Sequence, residues 1–325
     1  MKDQINNYTS CFINWYEKAT VRSSPRRLYH DSVMSNGARN FFSPSEAPIS
    51  NHYLINKKGN FDKILLMYLY NLLLFTAHLE LMVVNLTCSR IARNLLPYQT
   101  DILIRLDAHK IYCDEAYHAL FSADFMNQIR SVIGVDQEKY ERYSNKHPFF
   151  ETIDKLYRKF GPKQKIKIDL LATVVSETMI TTTLKHLPRD PSVIMPVREI
   201  IKDHAIDEGR HHIFFEHLFK EIWPQFDSKE KLMAGIAIPQ LISSYLTPNF
   251  IVFREYLSDL GYDHREIKQI LTESYTEEDL HKNQQSAAAN TLKSFHKTDL
   301  FDIPEIYSNF IQAGFNLHTT SKSVI

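Results

Sequence analysis

The sequence predicts an all-α fold in which additional helices surround a four-helix bundle, and three observations support this. Only 8 glycines and 13 prolines occur among the 325 residues, and long stretches contain neither. Both residue types interrupt helices, so such stretches favour helix over sheet. Patterns typical of strands are weak throughout. Two of the stretches each carry the pattern Asp-Glu-x-x-His, at residues 114–118 and 207–211.

We predict a single domain over residues 1–325, because one helical core can reach this size and no long linker divides the chain. Residues 1–60 are expected to form a short helix and an irregular arm. Residues 61–223 are expected to form the bundle that carries both Asp-Glu-x-x-His units. Additional helices are predicted at 224–318, and a disordered tail at 319–325.

Prolines and capping residues set the predicted helix boundaries. Pro97 ends the first long helix, and Thr100 or Asp101 caps the second. The predicted bundle helices cover residues 61–94, 101–132, 151–160, 165–186 and 196–223. Beyond the bundle, helices are predicted at 229–257, 263–275 and 276–297. Pro239 and Pro248 are expected to kink or break the first of these.

Composition argues against several partners and compartments. Lysine plus arginine equals aspartate plus glutamate, so the net charge of zero gives no reason to expect nucleic acid or an anionic membrane as a partner. Three scattered cysteines, Cys11, Cys88 and Cys113, do not suggest a disulfide framework and fit a reducing compartment. The start of the chain has no apolar signal segment. We therefore predict a cytoplasmic protein.

One apolar segment, residues 64–84, is long enough to cross a membrane. It contains Asn71, His78 and Glu80, and polar groups of this kind are costly in lipid. We therefore predict a helix buried inside the bundle, with no membrane partner.

The two Asp-Glu-x-x-His units suggest a site for two metal ions. On a helix, residues i and i+3 share a face, so Glu115 and His118 point the same way, as do Glu208 and His211. Helical bundles that hold two iron or manganese ions use such a pair on two helices and a single glutamate on each of two others.

Two apolar helices supply the single glutamates. Glu80 lies about one helical hairpin before Glu115, and Glu177 lies about one hairpin before Glu208. A carboxylate without a partner in an apolar helix is costly, which favours a role as a metal ligand. His204 adds a seventh donor, because it lies one helical turn before Glu208 on the same stripe.

This donor set of four carboxylates and three imidazoles fits two divalent cations. In an apolar core, four carboxylates repel one another and take up protons unless positive charge compensates them. Oxygen and nitrogen ligands without thiolate suit iron, with manganese as the alternative metal. Asp114 and Asp207 are candidate acceptors for the ring N–H groups of the ligand histidines.

The chain resembles the p-aminobenzoate N-oxygenase family of ferritin-like di-iron enzymes over roughly residues 10–315. The resemblance rests on the order of the seven candidate ligands: Glu80, Glu115, His118, Glu177, His204, Glu208 and His211. It implies a ferritin-like fold and two irons bridged by Glu115 and Glu208. One iron would also bind Glu80 and His118, and the other would bind Glu177, His204 and His211.

The resemblance further implies a di-iron monooxygenase. Its co-substrate would be O2, and its substrate would be a small-molecule amine, aromatic or derived from an amino acid. The nitrogen would be oxidised to hydroxylamine, nitroso or nitro products in secondary-metabolite biosynthesis, and the enzyme would be a homodimer. The amine could be free or tethered to a carrier protein. No segment is typical of a flavin or iron–sulfur domain, so we expect an external electron donor. Candidate pocket residues flank the two single glutamates: Phe75, Thr76, Val84 and Thr181.

Other interpretations remain open. A di-iron enzyme could instead catalyse C–H hydroxylation, desaturation or oxidative decarboxylation, because the ligand set alone does not distinguish these reactions. The radical subunit of ribonucleotide reductase is disfavoured, since Ser122 stands where that protein has its radical tyrosine. The second alternative is a non-catalytic ferritin-like protein that stores metal or retains the ligands as a scaffold.

Overall fold

A computed structural model of the chain describes residues 8–29, 38–134 and 146–317. Within these ranges the protein is helical, and the one β-type pairing is an isolated bridge between Asn40 and Val193. The predicted all-α fold, a ferritin-like bundle with additional helices, is confirmed. The tail predicted at 319–325 lies outside the described residues.

Short helical segments precede the bundle. They are α1 (Trp15–Lys18), α2 (Thr20–Ser23), 3-10 turns at Pro44–Glu46 and Pro48–Asn51, and α3 (Tyr53–Lys57). Trp15 and Thr20 are buried, so α1 and α2 are part of the packed structure.

Two helical hairpins form the bundle. Its elements are α4 (Phe61–Leu79), a π-helical turn (Glu80–Val84), α5 (Asn85–Ala92), α6 (Ile102–Ile133), α7 (Pro148–Phe160), α8 (Lys165–Thr183) and α9 (Met195–Ile222). The first hairpin pairs α4 and α5 with α6, and the second pairs α8 with α9. The hairpins meet through α6 and α9 and through α5 and α8, and α2 packs against both α6 and α9.

The ends of α6 follow from its local sequence. The Asp101 side chain accepts a hydrogen bond from the Leu103 N–H at 2.7 Å, as expected for an N-cap. At the other end Gly134 adopts the left-handed conformation, with φ of 70°, which ends the helix. The predicted cap at residue 101 is therefore confirmed.

The helix predicted over residues 61–94 contains a π-helical turn that the sequence pattern did not indicate. The N–H of Asn85 donates to the carbonyl of Glu80, five residues earlier. Such a turn adds one residue and rotates the side chains that follow by about 100° relative to an unbroken α-helix. The turn begins at Glu80, so the change of register coincides with a candidate metal ligand.

Additional helices pack against the bundle. They are α10 (Ser228–Leu246), α11 (Phe250–Asp259), α12 (His264–Ser274), α13 (Glu277–Phe295) and α14 (Pro304–Gln312). Pro239 lies inside α10, and the chain breaks between α10 and α11 near Pro248. The sequence analysis did not predict α14, which packs closely on α10. A Cβ at Gly235 would lie 2.5 Å from the Ile306 side chain, so the close approach requires glycine.

Two helical stretches, Phe61–Ala92 and Ser228–Asp259, are long and apolar enough to cross a membrane by length and composition alone. Their most apolar windows are 67% and 56% buried inside the fold. The first stretch includes the segment 64–84 that the sequence analysis assigned to the bundle interior. This burial is typical of core helices.

His147 caps α7 and gives a prediction about stability and pH. Its Nδ1 accepts a hydrogen bond from the Phe149 N–H at 3.2 Å, and its ring packs 4.2 Å from that of Phe75. Burial lowers the pKa of His147 to about 3. The folded protein therefore keeps this ring neutral, whereas the unfolded chain binds a proton below its ordinary pKa of about 6.5.

We expect His147 to contribute full stability above about pH 6.5 and to lose it, by up to about 1.4 kcal/mol per pH unit, as the pH falls toward 3. His147→Asn keeps a capping acceptor but does not titrate. Urea unfolding at pH 7.5 and 5 should show a smaller fall in the free energy of unfolding for this variant than for the wild type. The exposed His109→Asn serves as the control. Equal pH dependence in wild type and His147→Asn would contradict the assignment.

Candidate metal centre

Seven buried side chains converge at the centre of the bundle. They are the seven that the sequence analysis selected: Glu80, Glu115, His118, Glu177, His204, Glu208 and His211. Their donor atoms form two overlapping groups, and within each group the atoms lie within 4.8 Å of one another. The first group contains Glu80, Glu115, His118, His204 and Glu208. The second contains Glu115, Glu177, Glu208 and His211.

Glu115 and Glu208 belong to both groups. His118 Nδ1 lies 3.1 Å from Glu115 and 3.5 Å from Glu208. On the other side, His211 Nδ1 lies 2.7 Å from Glu115 and 3.6 Å from Glu208. Each of these two carboxylates can therefore serve two metal ions at once, as expected of bridging ligands.

His204 lies in the group that contains Glu80. Its Nε2 is 3.4 Å from Glu80 and 2.8 Å from Glu208. The resemblance implied instead that His204 shares an iron with Glu177, and here the structure differs. The physical reason is its place on α9, where His204 precedes Glu208 by about one turn and His211 follows it by about one turn. The two histidines therefore flank Glu208 on opposite sides.

Unpaired polar atoms show that the side chains fit a pair of cations. Both carboxylate oxygens of Glu80 and of Glu177 are buried without a hydrogen-bond partner, as are one oxygen each of Glu115 and Glu208 and the Nδ1 of His211. Buried acceptors without partners are rare because each costs free energy. A metal ion bound in each group would give these unpaired atoms a partner.

Electrostatics of the carboxylates support the same interpretation. Burial raises the pKa of Glu80 well above its ordinary value, and the charge of Glu115 adds to this. Burial, with the charge of Glu208, raises the pKa of Glu177 to about 8. Burial also opposes ionisation of Glu208, but the charge of His211 and a hydrogen bond from His204 lower its pKa. Without added positive charge, the four carboxylates do not all ionise at neutral pH.

Two of the imidazoles hold protons that metal binding would displace. Burial and the charge of His204 oppose protonation of His118, but hydrogen bonds with Asp207 and Glu115 raise its pKa to about 9. Burial likewise opposes protonation of His204, but the hydrogen bond with Glu208 raises its pKa to about 10. A metal ion replaces such protons with charge held at the same atoms.

The thiol of Cys88 is influenced by the charges of this cluster. It is fully buried, and burial together with the charges of Glu115 and Glu177 raises its pKa well above the ordinary value. The group therefore stays a neutral thiol, and the donor set consists of carboxylates and imidazoles, as predicted.

Asp114 supports the histidine of the opposite helix. Its Oδ2 lies 3.2 Å from His211 Nε2 and accepts a hydrogen bond from the N–H at that atom. The lone pair of His211 Nδ1 therefore faces the cluster. Trp15 Nε1 donates to both oxygens of Asp114 at 2.9 Å. Phe12 stacks on the His211 ring at 6.0 Å.

Asp207 supports His118 of the other Asp-Glu-x-x-His unit in the same way. Its Oδ2 lies 3.3 Å from His118 Nε2, which leaves His118 Nδ1 directed at the cluster. The Thr20 hydroxyl and N–H and the Arg210 guanidinium donate to Asp207. Burial opposes ionisation of Asp207, but the hydrogen bond from His118 lowers its pKa. Each Asp-Glu-x-x-His unit therefore fixes the imidazole of the other unit.

Trp15 and Thr20 were not identified from the sequence. No motif marks them, and the segment that contains them was predicted only as a short helix and an arm. Phe121 was also not identified, and its ring contacts those of His118 and His204 at 5.4 and 5.9 Å. The aspartate at the start of each Asp-Glu-x-x-His unit was the signal that further hydrogen-bond partners were needed.

The four candidate pocket residues have different environments. Phe75 packs against the rings of His147, Phe150 and Tyr245. Thr76 and Val84 are buried. Thr181 is half-buried and lines an open cleft between α8 and α9. A substrate-contacting role for all four stays a prediction.

A helical bundle that buries this donor set in two overlapping groups is typical of dinuclear metalloenzymes. The family model described as P-aminobenzoate N-oxygenase AurF matches residues 26–299, which is most of the chain. The chain therefore belongs to this family, as the sequence analysis predicted, and the family implies an oxygenase that acts on a small molecule. No curated individual protein matches the chain.

Replacing His204 by alanine should lower the metal occupancy of the Glu80 group and leave that of the Glu177 group. His204 is the one imidazole of α9 that contacts Glu80, and alanine is well tolerated in a helix. Iron content after anaerobic loading should fall from two ions per chain toward one, with helical circular dichroism unchanged. His186→Ala, an exposed histidine just beyond α8, is the control. Two tightly bound ions in the His204 variant would remove this residue from the ligand set.

Proposed function

We propose that the protein is a non-haem di-iron oxygenase that N-oxygenates a small amine. The observation that carries the proposal is the buried cluster of four glutamates and three histidines, in a chain of the p-aminobenzoate N-oxygenase family. Iron fits the donors because carboxylate and imidazole without thiolate suit a redox-active hard cation, and manganese is the alternative. The whole chain is proposed to act as one domain, because residues from Phe12 to His211 contribute to the site.

We propose that the Glu80 group holds one iron through Glu80, His118 and His204. The second iron would be held by Glu177 and His211, and Glu115 and Glu208 would bridge the two. The second ion would then have fewer protein ligands than the first. Two irons bound there would supply the redox chemistry that activates O2.

The protein's own residues hold and shield this centre. Asp114 and Asp207 keep the ring protons of His211 and His118 on Nε2. The Nδ1 atom of each ring therefore keeps a lone pair with which it could bind a metal ion. Phe12 and Phe121 cover the imidazoles and exclude water from that side. The four glutamates would supply negative charge that compensates the charge of the two cations.

The proposed reaction requires an external reductant, because the second atom of O2 is reduced to water. An amine N–H becomes N–OH, so one atom of O2 forms the new N–O bond and the other leaves as water. Two electrons come from a separate donor, and two protons come from solvent. Further oxidation of the hydroxylamine would give nitroso and nitro products.

Mass spectrometry of products tests the proposal. The iron-loaded protein is supplied with 18O2, a chemical reductant and a panel of aromatic and amino-acid-derived amines. We expect 18O in a new N–O bond, and no such product from protein prepared without iron. Label on carbon, loss of two hydrogens or loss of CO2 would support C–H hydroxylation, desaturation or oxidative decarboxylation instead. Rapid formation of a ferric mineral without product would support metal storage.

A further inference from the structure

Trp15 connects the outside of the protein to one of the candidate ligand histidines. Its indole Nε1 donates to both carboxylate oxygens of Asp114 at 2.9 Å. Asp114 Oδ2 in turn lies 3.2 Å from His211 Nε2. All three side chains are buried, so these hydrogen bonds are shielded from water. A continuous path of covalent and hydrogen bonds therefore leads from the indole to the Glu177 group, which contains His211.

The outer end of this path reaches solvent through Tyr16. The Tyr16 ring packs edge-on against the Trp15 ring, with 5.3 Å between the two centroids. Tyr16 is 62% exposed, whereas Trp15 is only 7% exposed. Ile13, close by on the chain, is exposed as well. A molecule that touches this part of the surface would therefore be separated from the indole by a single aromatic ring.

The two Asp-Glu-x-x-His units differ in the partners of their aspartates. Asp207, the counterpart of Asp114, receives hydrogen bonds from the Thr20 hydroxyl and the Arg210 guanidinium. Neither of these side chains carries an aromatic ring. A buried carboxylate is satisfied by any well-placed donor, so hydrogen bonding alone does not require an indole at Asp114. The indole therefore gives one of the two units a property that the other lacks.

This property is electronic coupling. Electron tunnelling weakens steeply with distance, and it weakens less along covalent and hydrogen bonds than across a gap between atoms. The large π system of an indole extends the part of a path over which coupling is strong. Hydrogen bonds in a buried, low-dielectric environment are also stronger than those exposed to water. The connection from Tyr16 through Trp15 to the buried imidazole thus has the features of an electron-transfer path.

We propose that electrons from an external one-electron donor, such as a reduced iron–sulfur protein, enter the metal centre through Trp15. The proposal rests on the proposed function, because that function requires two electrons from a separate donor. In each transfer the donor loses one electron, and a ferric ion in the Glu177 group becomes ferrous. No bond forms or breaks, and the protons of the indole and the imidazole stay in place. Two such transfers supply the electrons that the oxygenation consumes.

Anaerobic stopped-flow reduction of the iron-loaded ferric protein tests the proposal. The probe is the methyl viologen radical, a one-electron donor whose loss of colour gives the rate of electron uptake without any turnover of substrate. Trp15→Phe keeps an aromatic ring in the packed structure but removes the N–H and the indole π system. We expect the second-order rate constant of reduction to fall at least about tenfold in this variant. Iron content should stay at two ions per chain, because Asp114 still accepts from His211.

Tyr16→Leu separates electron transfer from a structural role. Tyr16 is exposed, and its ring contacts Trp15 rather than Asp114 or a candidate ligand. Its loss should therefore leave iron content and helical circular dichroism unchanged. The rate of reduction should nevertheless fall several-fold, because the outermost ring of the path is gone.

Two matched variants complete the comparison. Trp223 is the other of the two tryptophans, and its indole also donates to an aspartate, Asp299, which is not one of the candidate ligands or their partners. Trp223→Phe makes the same replacement away from the cluster and should be reduced at the wild-type rate. Thr20→Val removes a donor from Asp207 and measures what the loss of one such hydrogen bond does by itself. We expect it to slow reduction much less than Trp15→Phe.

The outcomes separate this proposal from the proposed function. If amines are N-oxygenated but Trp15→Phe is reduced as fast as the wild type, the electron-entry proposal is wrong and the function stands. If Trp15→Phe and Tyr16→Leu are both reduced slowly but no amine is oxidised, the electron-entry proposal stands and the function is wrong. Equal slowing in Trp15→Phe and Thr20→Val would overturn the proposal. Should Trp15→Phe lose iron, reduction of Tyr16→Leu at the wild-type rate would overturn it as well.

Discussion

Replacing Glu208 by alanine should abolish paired metal binding and, with it, all oxygenase activity. Glu208 belongs to both ligand groups, and it lies 2.8 Å from His204 and 3.6 Å from His211. Its loss removes one donor from each ion and one of the four negative charges that compensate them. We expect at most one weakly held ion per chain, against two in the wild type, and product below detection.

Metal content after anaerobic loading and desalting measures this effect directly. Glu208→Gln keeps the shape of the side chain but not its charge, and it provides a second variant should the alanine protein fail to fold. Glu216→Ala, on the same helix, removes a carboxylate that pairs with Lys297 at the surface and should keep both ions. Two ions per chain in either Glu208 variant would exclude a bridging role.

Replacing Asp114 or Asp207 by asparagine should weaken metal binding about 10- to 100-fold. Each change should act on the ligand group that contains the histidine of the other helix. Asp114 is next to Glu115 in sequence but accepts its hydrogen bond from His211, which belongs to the Glu177 group. Asp207 accepts from His118, which belongs to the Glu80 group. The variants are therefore controls for each other.

Double-mutant cycles assign each aspartate to its ion. Asp114→Asn and Glu177→Ala weaken the same ion, so their effects on affinity should be less than additive. Asp114→Asn and His204→Ala weaken different ions, so their free-energy changes should add more closely. Titration with Mn(II), followed by electron paramagnetic resonance, gives both affinities. The opposite pattern of additivity would overturn the crosswise assignment.

The candidate ligands could be selected from the sequence because their pattern is local. Glu-x-x-His places two donors on one face of a helix whatever the surrounding fold, and an isolated glutamate on an apolar helix has few other roles. The crosswise support could not be predicted, because it depends on how far α6 and α9 are shifted along each other. Trp15 and Thr20 were missed because their hydrogen bonds to Asp114 and Asp207 join residues 99 and 187 positions apart in the sequence.

The backbone around Glu80 was also beyond the sequence pattern. A π-helical turn changes which carbonyl accepts a hydrogen bond but leaves the apolar composition of the segment unchanged. The position of His204 required the structure as well. Its spacing placed it on the ligand stripe of α9, but only the arrangement of the facing helices decided that it meets Glu80 rather than Glu177.

The exchange of support between the two Asp-Glu-x-x-His units has a consequence for how metal is taken up. An ion bound first would order Glu115 and Glu208. The helices that carry these glutamates also carry Asp114 and Asp207, which orient the imidazoles that would bind the second ion. Binding of one ion should thus favour binding of the other, so the second ion should bind with higher affinity than it would to an empty site.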